Sequence, residues 1–284
     1  MMTLTDFRIP IGDWVDTGVD WLTENAAWLF SAISDALGGL IDLLEAALLW
    51  PPPLVLVIVL AVVALLVRNW RFGLFMGASF ALVAMMGLWD DAMSTLALVL
   101  VASLAAVLIG LPLGILAARK DGFSALVRPV LDFMQTMPSF VYLIPAIVFF
   151  GIGKVPGAVA TLVFSMPPVV RLTELGLRQV DREVVEAGEA FGAAPRKILT
   201  SIQIPLALPT IMAGVNQTIM LALSMVVIAG IVGAGGLGAV VFRGVTRLNV
   251  GLGFEGGLSV VILAIFLDRI TAAFGERASK RTSH

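Results

Sequence analysis

Seven stretches of the chain are apolar enough to read as membrane spans: residues 52–67, 72–89, 93–117, 134–151, 156–171, 206–232 and 256–274. A span needs about 20 mostly apolar residues. The central portions of all seven lack Asp, Glu, Lys and Arg. The first two are joined only by Arg68-Asn-Trp-Arg71, which predicts a tight hairpin at the membrane surface.

Residues 13–45 follow a different pattern. Asp13, Asp16, Asp20, Glu24, Ser31, Asp35, Asp42 and Glu45 recur at helical spacing along one face, and Trp14, Trp21 and Trp28 recur along another. This predicts one or two helices lying in the membrane interface, broken near Gly38-Gly39. The acidic face suits the outer leaflet, because the cytoplasmic leaflet is anionic. Such a segment reads as a scaffold or as a docking surface for an extracytoplasmic partner. Pro51-Pro52-Pro53 stiffens the entry to the first span.

Composition supports a polytopic all-α membrane protein: 59% of residues are hydrophobic, 13% are charged and the mean hydropathy is +1.02. Soluble domains are about half apolar and a quarter charged. With no cysteine, disulfides and thiol chemistry are excluded, and the one histidine is the terminal His284. No cleavable signal peptide is expected at the amino terminus, and no metal site. Placing the amino terminus outside puts all but four of the 18 lysines and arginines in cytoplasmic segments; Arg8, Lys154, Arg243 and Arg247 remain outside. Trp50, Trp70 and Trp89 then mark span ends at the interface.

The same orientation makes the polar loop 172–204 cytoplasmic. Glu174, Arg178, Asp181, Arg182, Glu183, Glu186 and Glu189 alternate with apolar positions, predicting short amphipathic helices. Gly192 suits a helix end and Pro195 the first turn of the next helix, with Pro205 opening the following span. Ala187, Gly188 and Ala190 permit close approach of another surface. Phe191 offers an apolar plug, while Glu186 and Glu189 offer anions to arginines.

Glu186-Ala-Gly-Glu-Ala-Phe-Gly192, followed after nine intervening residues by Ile202-Gln-Ile-Pro205, resembles the "EAA" loop of ABC-importer permeases. Gly188 replaces the usual third-position Ala, and Ile204 the usual Leu. The resemblance extends over 93–272. The segments Met137 to Pro145, Leu206 to Ala229 and Arg243 to Leu248 are similar to permeases for glycine betaine, choline and related quaternary amines. It implies a type I importer fold with a five-span core and two accessory spans. The implied partners are two ATPase subunits, an extracytoplasmic substrate-binding protein and a second permease copy forming a homodimer. ATP and magnesium would sit on the ATPases, with no cofactor on this chain. The coupling residues carried over are Glu186, Ala187, Gly188, Glu189, Phe191, Gly192 and Pro205. The implied place is the bacterial inner membrane, and the implied role osmoprotection.

This divides the chain into an interfacial segment (1–50), two accessory spans (51–90), a transport domain (91–275) and a cytoplasmic tail (276–284). Uncharged spans argue against ion-coupled transport. Thr210, Asn216, Gln217, Thr218 and Ser224 give the penultimate span polar positions, readable as helix–helix contacts or as a pathway lining. Tyr142, Pro167, Asn216, Gln217 and Ser224 are the pathway candidates. With one Tyr and no Trp beyond Trp89, an aromatic cage for a quaternary ammonium is expected on the binding protein. Gly233-Ala-Gly-Gly-Leu-Gly238 satisfies G-x-G-x-x-G but follows an apolar helix and falls on the outer side in this orientation, so it predicts a tight turn at an extracytoplasmic gate, or close helix approach, and not a dinucleotide site. Gly110 and Gly114 could seat a neighbouring helix. No G-x-x-x-x-G-K-[ST] occurs, so ATP hydrolysis is not expected on this chain. A permease for an amino acid or other small solute, and a non-transporting scaffold or sensor, are the alternatives.

Overall fold

The computed structural model describes residues 10–282, and the expectations for Arg8, His284 and the side chains of the 276–284 tail fall outside them. The chain runs as α1 (Ile11–Asn25), α2 (Ala27–Leu49), α3 (Pro53–Val67), α4 (Trp70–Met85), α5 (Trp89–Arg119), α6 (Asp121–Thr136), α7 (Leu143–Phe150), α8 (Lys154–Ser165) and α9 (Pro167–Arg178). It continues as α10 (Arg182–Ala190), α11 (Pro195–Ile198), α12 (Ile204–Ala229), α13 (Gly236–Thr246) and α14 (Val250–Thr282). No strand occurs among the described residues.

Four helical runs are long and apolar enough to cross a bilayer: Trp89–Arg119, Lys154–Arg178, Pro195–Val232 and Val250–Gly275. The other three expected spans fall on shorter or bent helices. Residues 52–67 are α3, which with α2 forms a pair bent by 101°. Residues 72–89 reduce to α4 and a turn. The tight hairpin before α4 forms as expected: Asn69 caps α4 by accepting from the Phe72 N–H at 2.8 Å.

The expected span 134–151 is not one helix. Its first residues end α6, a 3₁₀ turn follows at Ser139–Tyr142, and α7 leaves at 110° to α6. Pro138 explains the break, because it lacks an N–H and disfavours helical backbone at Met137, whose ψ is 135°. Pro167-Pro168 have a milder effect. They only joint α8 to α9 at Met166, which keeps helical angles, and the two helices together make one span.

The amino-terminal segment departs from expectation in two ways. Its break lies at Ala26, where the Asn25 side chain donates back to the Trp21 carbonyl, and α2 runs straight through Gly38-Gly39. Glycine costs about 1 kcal/mol in a helix, and packing offsets it here. Ile41 is fully buried, and Leu37, Leu44 and Leu48 lie against the core. Thus α2 is docked on α5 and α8, whereas α1 keeps Trp14 and Trp21 exposed. Trp50 and Trp70 are likewise exposed, but Trp89 is 5% exposed and packs inside the bundle, not at an interface.

α9 is held between α5 and α12. Glycines set both contacts. A Cβ on Gly110 would stand 2.4 Å from Val169 Cγ1, and one on Gly114 would stand 2.7 Å from the Val170 carbonyl oxygen. On the other side, Gly176 meets Thr210 and Ala207, while Gly214 meets Leu172 and the Pro168 carbonyl. Helices in lipid gain little from hydrophobic burial against each other, so close backbone approach matters more. Gly114→Val should therefore force α5 away from α9, costing about 1–3 kcal/mol. The check is a lower thermal unfolding midpoint in detergent than for the parent chain.

Candidate functional site

The loop between α9 and α12 is built by local hydrogen bonds. Asp181 caps α10 by accepting from the Glu183 N–H at 3.0 Å. At the other end Gly192 takes φ 74°. Its N–H donates to the Glu189 carbonyl at 2.8 Å, and the Ala193 N–H donates to the Gly188 carbonyl at 3.1 Å. These two bonds form a Schellman cap, in which the residue at Gly192's position must be left-handed. The chain then reverses, and Pro195 starts α11.

Pro205 stands in the first turn of α12, as expected for a residue that opens this span, but no gap separates α12 from α11. Residues 195–232 form one continuous helical run, and Pro205 lies inside it. A π-helical turn at Leu199–Gln203 comes just before, with the Ile204 N–H bonded to the Leu199 carbonyl. The wider turn admits one extra residue and lets the run pass the proline. The loop is therefore one short helix, α10, folded back on the foot of a long rod.

The fold-back is packed. Gly188 faces Ile202: a Cβ there would come within 2.8 Å of Ile202 Cδ1, a side-chain tip that can turn away. The two halves of the motif thus touch each other. Ile198 is buried beneath, and Leu199 and Ile204 pack on a small core of Leu177, Ala207 and Ile211. Glu186, Ala187, Glu189 and Ala190 are exposed, and Phe191 at the tip is 92% exposed. An apolar ring beside two carboxylates, on a capped helix, makes a knob that would fill an apolar cleft rimmed by cations. Glu186 and Glu189 also line a cavity of about 460 Å³ between α10 and the end of α9.

One feature of the site escaped the sequence reading. Glu174 is 5% exposed, and three donors converge on its Oε1: Ser124 Oγ at 2.7 Å, Arg128 Nη2 at 2.8 Å and Arg178 Nε at 2.9 Å. Arg178 also pairs with Asp121 at 2.8 Å and donates to the Ala117 carbonyl at 2.9 Å. Arg171 pairs with Asp132. These contacts clasp the amphipathic α6 to α9, directly at the root of the loop. The available signal was Glu174 four residues before Arg178, with Val169, Val170 and Leu177 on the core side of the same helix.

The pathway candidates do not gather in one place. Tyr142 is buried, donates its hydroxyl to the Met134 carbonyl and packs edge-on against Phe164, so it braces the α6–α7 corner. Pro167 is buried in the α8–α9 joint. Asn216 is a helix–helix contact: its Nδ2 donates to Asp268 Oδ1 at 2.9 Å, and it accepts from Thr271. Gln217 and Ser224 are exposed, two helical turns apart on one face of α12. Of the five, only these two sit on an open face together.

The glycine run 233–238 makes the tight turn between α12 and α13. Gly233 and Gly235 have φ 82° and 81°. A Cβ on Gly230 would come within 2.2 Å of the Gly238 backbone. Thr95 of α5 accepts from the Leu237 N–H at 2.8 Å, satisfying the start of α13. The surroundings are helical throughout, so the run has no place in a βαβ unit.

Comparison with known proteins agrees with this architecture. Residues 110–280 match the family model "Binding-protein-dependent transport system inner membrane component". The glycine betaine/proline betaine transport system permease protein ProW of Escherichia coli (strain K12) is 47% identical over 96% of this chain and 77% of its own length. The glycine betaine transport system permease protein OpuAB of Bacillus subtilis (strain 168) is 47% identical over 93% of this chain and 94% of its own. The inward-facing MetNI methionine ABC transporter superimposes with a TM-score of 0.61, at 24% identity, over 69% of this chain and 98% of the matched one. That last likeness is one of fold.

Replacing the buried carboxylate should loosen α6 from α9. Glu174→Ala leaves Ser124, Arg128 and Arg178 without their shared acceptor, which should cost about 1–3 kcal/mol, and Ser124→Ala about 1 kcal/mol. Thermal unfolding of the purified protein checks both, and the two losses should not add in the double variant, since they remove one contact.

Proposed function

Because the chain belongs to the family of binding-protein-dependent transport system inner membrane components, we propose that it is the permease subunit of an ATP-driven importer for quaternary ammonium osmolytes of the glycine betaine, proline betaine and choline kind. The observation that carries this reading is the α10 knob. A rigid, acidic, aromatic-tipped helix is fused to the longest apolar rod of the bundle. The relatives named for glycine betaine transport support the substrate class.

In this reading two ATPase subunits sit on the cytoplasmic side, each receiving one knob from a permease homodimer, and a binding protein delivers substrate outside. The amino terminus lies outside and the carboxy terminus inside, as the lysine and arginine distribution indicates. ATP and magnesium act on the partner subunits. Closure of the ATPase pair displaces α10. The Gly188–Ile202 contact and the unbroken helix from Pro195 carry that displacement into α12, and the Glu174 clasp carries it into α6. Movement of α12 exposes its Gln217 and Ser224 face, first to one side and then to the other. Alternation between two packed states needs no charge within the membrane. The domain division at 50, 90 and 275 follows the same scheme: interfacial segment, accessory hairpin, transport domain and tail.

The test is ATP-dependent uptake of glycine betaine into vesicles carrying the assembled complex. Glu186→Lys reverses the charge offered to the ATPase, and Gly192→Asp removes the left-handed cap. Both should abolish uptake while membrane insertion and detergent stability stay near the parent's. Parental uptake in both variants would overturn the coupling assignment.

A further inference from the structure

The corner between α7 and α8 is gripped from one side and touches the glycine turn on the other. The corner itself is Gly151-Ile-Gly153, with φ 77° and 139° at its glycines. Such angles leave little but glycine able to make the bend. Lys154 follows as the first residue of α8, whose first turn holds no acid. A cation there faces the positive end of the helix dipole. It is matched instead by carboxylates from another element. Lys154 Nζ lies 3.2 Å from Asp42 Oδ1 and 2.5 Å from Glu45 Oε2, two residues one helical turn apart on α2. A second grip lies further along. The Phe30 ring stacks on Phe149 at 4.5 Å and meets Phe150 edge-on at 5.6 Å.

The opposite side of the corner meets the turn between α12 and α13. A Cβ added to Gly233 would come within 3.0 Å of Ile152 Cγ2. One added to Gly157 would come within 2.8 Å of the Ala234 Cβ and 3.1 Å of the Ala229 Cβ. The order of contact is therefore α2, then the α7–α8 corner, then the glycine turn.

We propose that Lys154 is a positioning residue, through which α2 holds the α7–α8 corner against the α12–α13 turn and keeps the outer end of the pathway closed at rest. The inference rests on the importer reading, in which that turn lies at the extracytoplasmic gate. Exposed ion pairs contribute little to overall stability, so this pair's effect lies in where it holds the corner. Because its hold is weak, a moving gate can leave it and return. α2 itself stays anchored on α5 through Ile41 and its neighbours.

The absence of cysteine in the natural sequence makes the test direct. Val232→Cys, at a partly buried position beside the turn, gives this chain its single cysteine, and labelling of this subunit alone is read after the full complex in proteoliposomes is dissociated. Its labelling by a charged maleimide, loaded on both sides of the membrane, is followed without ATP or substrate. Lys154→Gln should speed labelling severalfold, and Lys154→Glu should speed it further. Lys154→Arg should keep the parental rate. Combining Lys154→Glu with Asp42→Lys and Glu45→Lys should bring the rate back. A merely destabilised protein would not be rescued by that swap. Phe30→Leu, which loosens the second grip, should give a smaller acceleration. Parental labelling in Lys154→Gln, or no rescue by the swap, overturns the proposal. Labelling requires no transport, so these results are separate from the importer reading, which fails only if the parent complex shows no ATP-dependent uptake.

Discussion

Close contact at glycine, without side chains between, is the constraint on which the arrangement of this bundle depends. In a lipid environment apolar side chains lose little by facing outward, so helices are selected by how closely they fit. Gly110 and Gly114 bring α5 onto α9, and Gly176 and Gly214 bring α12 onto its other side. α9 is consequently fixed on two sides, and the loop that leaves its end starts from a defined place. The root of the knob is thereby held.

In the proposed importer, transmission would depend on stiffness between the knob and the spans. α10 is short, and an isolated helix of nine residues would be marginal in water. It is held by a cap at each end, by Ile202 under Gly188 and by the Glu174 clasp beside its root. The run from Pro195 to Val232 adds length without a joint. In the proposed importer, a push on Phe191 would therefore meet packed and hydrogen-bonded contacts, with few free torsions to absorb it.

The two ends of the molecule use polar contacts differently. Around Glu174 the carboxylate is buried and three donors share one oxygen, so loss of the carboxylate leaves the buried Ser124 hydroxyl without its acceptor. Around Lys154 the pair is more open to solvent and its loss is less costly. The first arrangement suits parts that move together. The second suits parts that separate and meet again.

Several features were legible in the sequence because their causes are local. Gly192 as a helix end, Pro195 as a helix start, Asn69 in a tight hairpin and the amphipathic character of residues 13–45 each follow from a few neighbouring hydrogen bonds or from periodicity. So did the family resemblance carried by Glu186 to Pro205. The fate of two other proline sites was not legible, for Pro138 breaks its helix and Pro167-Pro168 joint theirs, nor was the π turn that joins α11 to α12 ahead of Pro205. Nor was the continuity of α2 through Gly38-Gly39, the burial of Trp89, or the choice of Asp268 and Thr271 as partners for Asn216. The chain by itself thus determined which segments prefer to be helical, where polar caps occur and which loop bears the knob, since those depend on bonds within a few residues. Whether a helix continues past a proline or glycine, and which polar group meets which, was decided only in the tertiary structure. There the gain from packing on a distant helix is weighed against a local cost of similar size.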